Sequence, residues 1–132
     1  MKIGIVGSRR YQNKSKIKDF IYKLKQEVPD ITVVSGGCKD GADKFAKKYA
    51  LELGVMYEEY PPFHHQHNLY CALPESLYGK RYHVSYYFVR NKQIAKNSDT
   101  VVAFIPEGIV SNGTNSTLKY AEKFNKKTLI IR

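Results

Sequence analysis

The sequence predicts a three-layer α/β fold, with a central, mainly parallel five-stranded sheet and helices on both of its faces. Three observations carry that prediction. Short β-branched runs alternate with longer segments of helical periodicity along the whole sequence. The short runs are apolar at consecutive positions, as strands covered on both faces are. An alternation of strand and helix folds into a parallel sheet, because each crossover helix returns the chain to the same edge.

Residues 3–6 are the first expected strand, closed by Gly7. Ile17, Phe20, Ile21, Leu24 and Val28 then recur at helical spacing, and Pro29-Asp30 stops that helix. Residues 31–34 form a second strand, ending in Ser35-Gly36-Gly37. A second helix carries Ala42, Phe45, Ala46, Tyr49, Ala50 and Leu53 on one face, with Asp40 as expected N-cap and Gly54 just past its end. Residues 55–60 are a third strand, ended by Pro61-Pro62. Residues 61–81 follow no period, and a connection of that length inside a compact domain is usually functional or mobile. A helix is expected over 82–97, a fourth strand over 100–105 and a loop over 106–113. A last helix over 114–125 turns Leu118, Ala121 and Phe124 inward, and a last strand covers 128–131. No repeat or composition shift divides the sequence, so 1–132 reads as one domain.

Composition narrows the function classes. Of 132 residues, 42% are hydrophobic, enough for a packed core rather than a disordered polypeptide. No apolar run approaches the roughly 20 residues of a membrane span, so no membrane partner is expected. Met1-Lys2-Ile3-Gly4-Ile5-Val6-Gly7 lacks a cleavage pattern and reads as a strand rather than a signal peptide, which points to the cytoplasm. Two cysteines, Cys38 and Cys71, are too few for a disulfide framework. The net charge of +10 draws polyanions, although Lys14, Lys16, Lys18, Lys23, Lys25, Lys47 and Lys48 lie between apolar helix positions, as solvated lysines do.

The candidate chemistry lies in the turns after the strands, since ligands of such sheets bind beyond the carboxyl strand ends. Gly7-Ser8-Arg9 offers close backbone approach, a hydroxyl and a forked guanidinium donor for phosphate. Ser35-Gly36-Gly37 precedes a helix whose first amides favour an anion, and Asp43 in that helix is expected to brace the turn or meet a ribose hydroxyl. Gly113-Thr114-Asn115 opens another helix and offers further amide and hydroxyl donors. Arg90-Asn91 reads as a phosphate clamp or a surface pair. His64, His65, His67 and Cys71 lack the second spaced pair of a tetrahedral metal site, so no metal is expected and the histidines are assigned to the pocket mouth. Tyr60, Tyr70, Tyr78, Tyr82, Tyr86 and Tyr87 serve as core, interface or base-stacking groups. The GxSxG elbow and the kinase signature set are absent.

Gly7-Ser8-Arg9, Ser35-Gly36-Gly37, Asp40-Gly41-Ala42-Asp43, Arg90-Asn91 with Asp99, and Gly113-Thr114 occur together, in an order that resembles the SLOG superfamily and its small YspA-type branch. The resemblance implies a three-layer Rossmann-like fold with a pocket built from these residues. It implies a nucleotide or nucleotide-derived ligand, of ADP-ribose or NAD type, held as sensor or carrier with no obligatory cofactor. The superfamily includes the LOG phosphoribohydrolases, which carry Pro-Gly-Gly-x-Gly-Thr followed at once by glutamate. Here Gly113-Thr114 is followed by Asn115-Ser116, so a nucleoside-5′-monophosphate phosphoribohydrolase is the alternative and its catalytic residues are not assigned. DNA-processing protein A belongs to the same superfamily, and a DNA-binding module is the further alternative. The partners expected are a small nucleotide and a second copy of the protein, the latter because residues 82–88 are apolar nearly all round.

Overall fold

The computed structural model describes residues 1–37, 40–60 and 85–132. Among these residues five strands and four helices alternate: β1 (Lys2–Gly7), α1 (Lys14–Glu27), β2 (Thr32–Ser35), α2 (Gly41–Glu52), β3 (Met56–Glu59), α3 (Ser85–Asn97), β4 (Thr100–Phe104), α4 (Asn112–Lys123) and β5 (Lys127–Ile131). The strands lie in the order β3-β2-β1-β4-β5, and all four pairings are parallel. The polypeptide winds outward from β1 to β3 and then crosses back to β4. The strand order therefore reverses between β1 and β4, where open α/β sheets keep their binding crevice.

Alternation along the strands divides the core into two layers. Ile3 and Ile5 of β1, Val33 of β2, and Val102 and Phe104 of β4 pack against Ile17 and Ile21 of α1 and Ala42, Ala46, Tyr49 and Ala50 of α2. Val6, Val34, Val101 and Ala103 face the other way, onto Ile94 and Ala95 of α3 and Leu118 and Ala121 of α4. Tyr11 and Phe20 meet Phe104 edge-on, with ring centroids 5.4 and 5.7 Å away.

Capping decides the helix ends, and the start of α4 departs from the expected boundary. Asn13 starts α1 by accepting the amide of Lys16 on its side chain. Asp40 holds the N-cap position of α2, but its carboxylate makes no cap hydrogen bond. Gly54 turns left-handed at φ +71°, which ends α2 at the expected place. α4 begins at Asn112, two residues before the expected start, so Gly113 and Thr114 lie inside its first turn. β5 is an edge strand whose Leu129 and Ile130 are half-exposed on opposite faces. The expected start of α3 at Tyr82, the irregular segment 61–81 with its histidines and Cys71, and Cys38 lie outside the described residues.

Candidate functional site

The carboxyl edge gathers the turn after β1, the turn after β2, the start of α2 and the start of α4. Ser8 donates its amide to the Phe104 carbonyl at 3.0 Å, which ties the first turn to the end of β4. Its carbonyl accepts the amides of Tyr11 and Ala42, both at 3.2 Å, so the start of α2 hangs on the same residue. The Ser8 hydroxyl accepts the Arg10 amide at 3.0 Å, which closes the turn around Arg9. Glycine at 41, at φ +71°, is required twice over: a Cβ there would collide with the Ser8 carbonyl and the Arg9 backbone.

Two residues of α3 join the remaining pieces. The Arg90 guanidinium donates through Nη1 to the Gly36 carbonyl at 3.0 Å and through Nε to Oδ1 of its neighbour Asn91 at 2.8 Å. Asn91, 3% exposed, donates through Nδ2 to the Gly113 carbonyl at 3.2 Å. One Arg-Asn pair thus spans from the turn after β2 to the first turn of α4. Within that helix, Ser111 donates its hydroxyl to Oγ1 of Thr114 at 2.7 Å, and Thr117 donates to the Gly113 carbonyl at 3.3 Å.

The glycines of the turns differ in what stands over them. A Cβ at Gly7 would press on the Phe104 carbonyl and come within 2.7 Å of Ala42 Cβ. At Gly36 it would meet the Arg90 guanidinium, and Asp43 Oδ2 at 2.9 Å. At Gly37 it would meet the Glu59 carboxyl, 2.6 Å from Cδ. These three glycines therefore admit the protein's own groups. A Cβ at Gly113 would meet no atom of the described residues within 4 Å outside its own helix backbone. Ser35 is fully buried, and its hydroxyl donates to the Ile5 carbonyl at 2.8 Å. That makes Ser35 a cross-link between β2 and β1.

The β3 corner holds residues to which the sequence assigns no role. Tyr57 donates its hydroxyl to Glu59 Oε1 at 3.0 Å, and Lys47 Nζ stands 3.2 Å from the same oxygen. Burial first, and then the charge of Glu59 with the hydrogen bond to it, hold the Tyr57 phenol far above its ordinary pKa; the buried Asp43 carboxylate adds to the rise. The phenol stays protonated throughout the neutral range. Nothing in the sequence Met56-Tyr57-Glu58-Glu59 points to Gly37.

All twelve residues singled out in the sequence lie on or next to this edge: Gly7, Ser8 and Arg9 in the first turn, Ser35, Gly36 and Gly37 in the second, Asp43 in α2, Arg90 and Asn91 in α3, and Gly113, Thr114 and Asn115 in α4. Asp99 does not join them: its carboxylate accepts the Lys2 amide at 2.7 Å at the opposite edge of the sheet. Phe88 of α3, within the segment expected to self-associate, is 44% exposed. Among the described residues, no group of three or more histidine, cysteine or acidic side chains is placed to hold a metal ion, and no helix is long and apolar enough to cross a membrane.

Residues 1–67 match the YspA, cpYpsA-related SLOG family. No curated protein matches the sequence. Among solved structures, the molybdenum cofactor binding protein of the phototrophic bacterium Rippkaea orientalis has a TM-score of 0.71 at 19% identity, over 98% of this chain and 74% of that one. The molybdenum cofactor carrier protein MCP from Chlamydomonas reinhardtii gives TM-scores of 0.66 and 0.64 in two structures, at 18% and 17% identity. Each match spans 98% of this chain, and 74% and 75% of the carrier. At such identities the likeness establishes the fold.

Proposed function

The chain belongs to the YspA, cpYpsA-related SLOG family, and from that premise we propose that it binds a phosphate-bearing nucleotide or nucleotide-derived ligand, of ADP-ribose or NAD type, as a sensor or carrier. The observation that carries this reading is the Arg90–Asn91 bridge, which brings a guanidinium and the open first turn of α4 to the crevice where strand order reverses. The first amides of α4 have no intrahelical acceptor and sit at the positive end of the helix, so they suit an anion. Gly113 and Thr114 are the amide donors there, whereas the Asn115 amide is bonded to the Ser111 carbonyl at 2.9 Å, so Asn115 offers its side chain, and the Gly7-Ser8-Arg9 turn supplies the remaining donors. Arg90 neutralises ligand charge while anchored to Gly36. Ser35, Asn91 and Asp43 position these groups from behind, with Gly36 and Gly37 leaving room for them.

A second ligand class, the molybdenum cofactor, is favoured by the structural neighbours described as binding or carrying it. Both classes are tested by isothermal calorimetry of the whole protein against ADP-ribose, NAD, nucleoside monophosphates and the molybdenum cofactor, with chromatography of each mixture for released base. Micromolar binding without turnover is the expected result. Binding weaker than millimolar for every compound overturns the reading, and release of free base replaces it with the phosphoribohydrolase alternative.

A further inference from the structure

Asn112-Gly113 is the one Asn-Gly pair in the sequence, and it stands at the start of α4 with both residues exposed. From its geometry we infer that this pair is a site of self-modification, at which Asn112 loses its amide nitrogen through a succinimide and the helix start gains a carboxylate. In that step the Gly113 backbone nitrogen attacks Cγ of Asn112. A bond forms between that nitrogen and Cγ, the Cγ–Nδ2 bond of Asn112 breaks, and ammonia leaves. Water then opens either carbonyl of the ring to give an aspartyl or an isoaspartyl residue. One water enters and one ammonia departs, and no oxidant or reductant takes part.

Three features favour this pair over the other asparagines. The attacking nitrogen belongs to a glycine, so it carries no side chain to shield it, and among the described residues a Cβ at 113 would meet no atom within 4 Å outside its own helix backbone. Its N–H is among the four that a helix start leaves without an intrahelical acceptor. The N-cap does not engage it either, because the Ser111 hydroxyl makes no cap bond and turns to Thr114. Asn91, by contrast, is buried and hydrogen-bonded on both ends of its amide. Asn97 donates its side-chain amide to the Gln93 carbonyl at 2.8 Å and is followed by serine.

The product changes the proposed site, a consequence that rests on the ligand reading above. A carboxylate in the first turn suits the helix dipole but repels an incoming phosphate. The isoaspartyl form also lengthens the backbone where Asn91 and Thr117 bind the Gly113 carbonyl.

The test is to age the whole protein at mildly alkaline pH and map its peptides by mass spectrometry, with Asn112→Ala and Gly113→Ala aged in parallel. The expected result is a gain of one mass unit confined to the peptide containing 112–113, with isoaspartate detected by methyltransferase labelling. Asn112→Ala abolishes the gain and Gly113→Ala slows it severalfold. An unmodified Asn112 in the folded protein, while the same pair deamidates in urea, overturns the inference. Calorimetry of aged and fresh protein against ADP-ribose reads the consequence separately. Weaker binding by the aged protein is expected, and absence of binding by the fresh protein removes the ligand reading while leaving the mass result standing.

Discussion

The turn at residues 35–37 and the turn at residues 111–115 look alike in sequence: small residues after a strand and before a helix. In space they are opposites. The first is filled by its own protein, with Arg90 and Asp43 against Gly36, Glu59 against Gly37, and the Ser35 hydroxyl on the Ile5 carbonyl. The second is open: among the described residues, and outside its own helix backbone, no atom lies within 4 Å of where a Gly113 side chain would begin. Glycine thus serves packing in one turn and exposure in the other.

The comparison breaks first where glycine is hemmed in. Gly7→Ala pushes a methyl against the Phe104 carbonyl and Ala42, so it must part β1 from β4. A loss of about 3 kcal/mol is expected, at the upper end for an overpacked core, and thermal or urea unfolding of the variant measures it. Ser35→Ala removes the hydroxyl that pairs the Ile5 carbonyl and costs about 1 kcal/mol by the same measurement.

Tyr57 sharpens the comparison through pH. Its folded pKa lies above the ordinary 10.0. Above that value the unfolded state gives up the phenolic proton while the folded state keeps it, so unfolding becomes progressively easier. The stability tied to this group is intact below pH 10 and is lost as pH climbs beyond it. Tyr57→Phe should therefore have a shallower alkaline decline than the natural protein in urea titrations between about pH 9 and about 11. The decline does not vanish, because burial raises Tyr11 and Tyr60 as well.

The smallest effect has the opposite sign. Gly113→Ala adds a methyl in open space and lowers the conformational entropy of the unfolded state. It should stabilise by a few tenths to about 1 kcal/mol in the unfolding assay that reads Gly7→Ala as a loss. If both substitutions destabilise equally, the contrast between filled and open turns is wrong.

Sequence pattern carries the element order well, because Ile17-Phe20-Ile21-Leu24 and Ala42-Ala46-Tyr49-Ala50 repeat at the period of a buried helix face. It also leads to the carboxyl edge, since the turns there follow from a parallel sheet. It does not tell a filled glycine from an open one, because Arg90 lies 54 residues from the Gly36 carbonyl it binds. It places the α4 boundary late because Gly113 looks like loop, whereas Ser111 is the residue at the cap. Nor does a hydroxyl after a strand reveal that Ser35 bonds the carbonyl of the neighbouring strand.

The most direct measurement of the central claim is an amide-resolved NMR titration of the protein with ADP-ribose. The expected result is saturable shifts at Ser8, Arg9, Gly113, Thr114 and Asn115, with smaller ones at Gly36 and Gly37. Saturable shifts that bypass the start of α4, or none at any of these amides, would contradict the account.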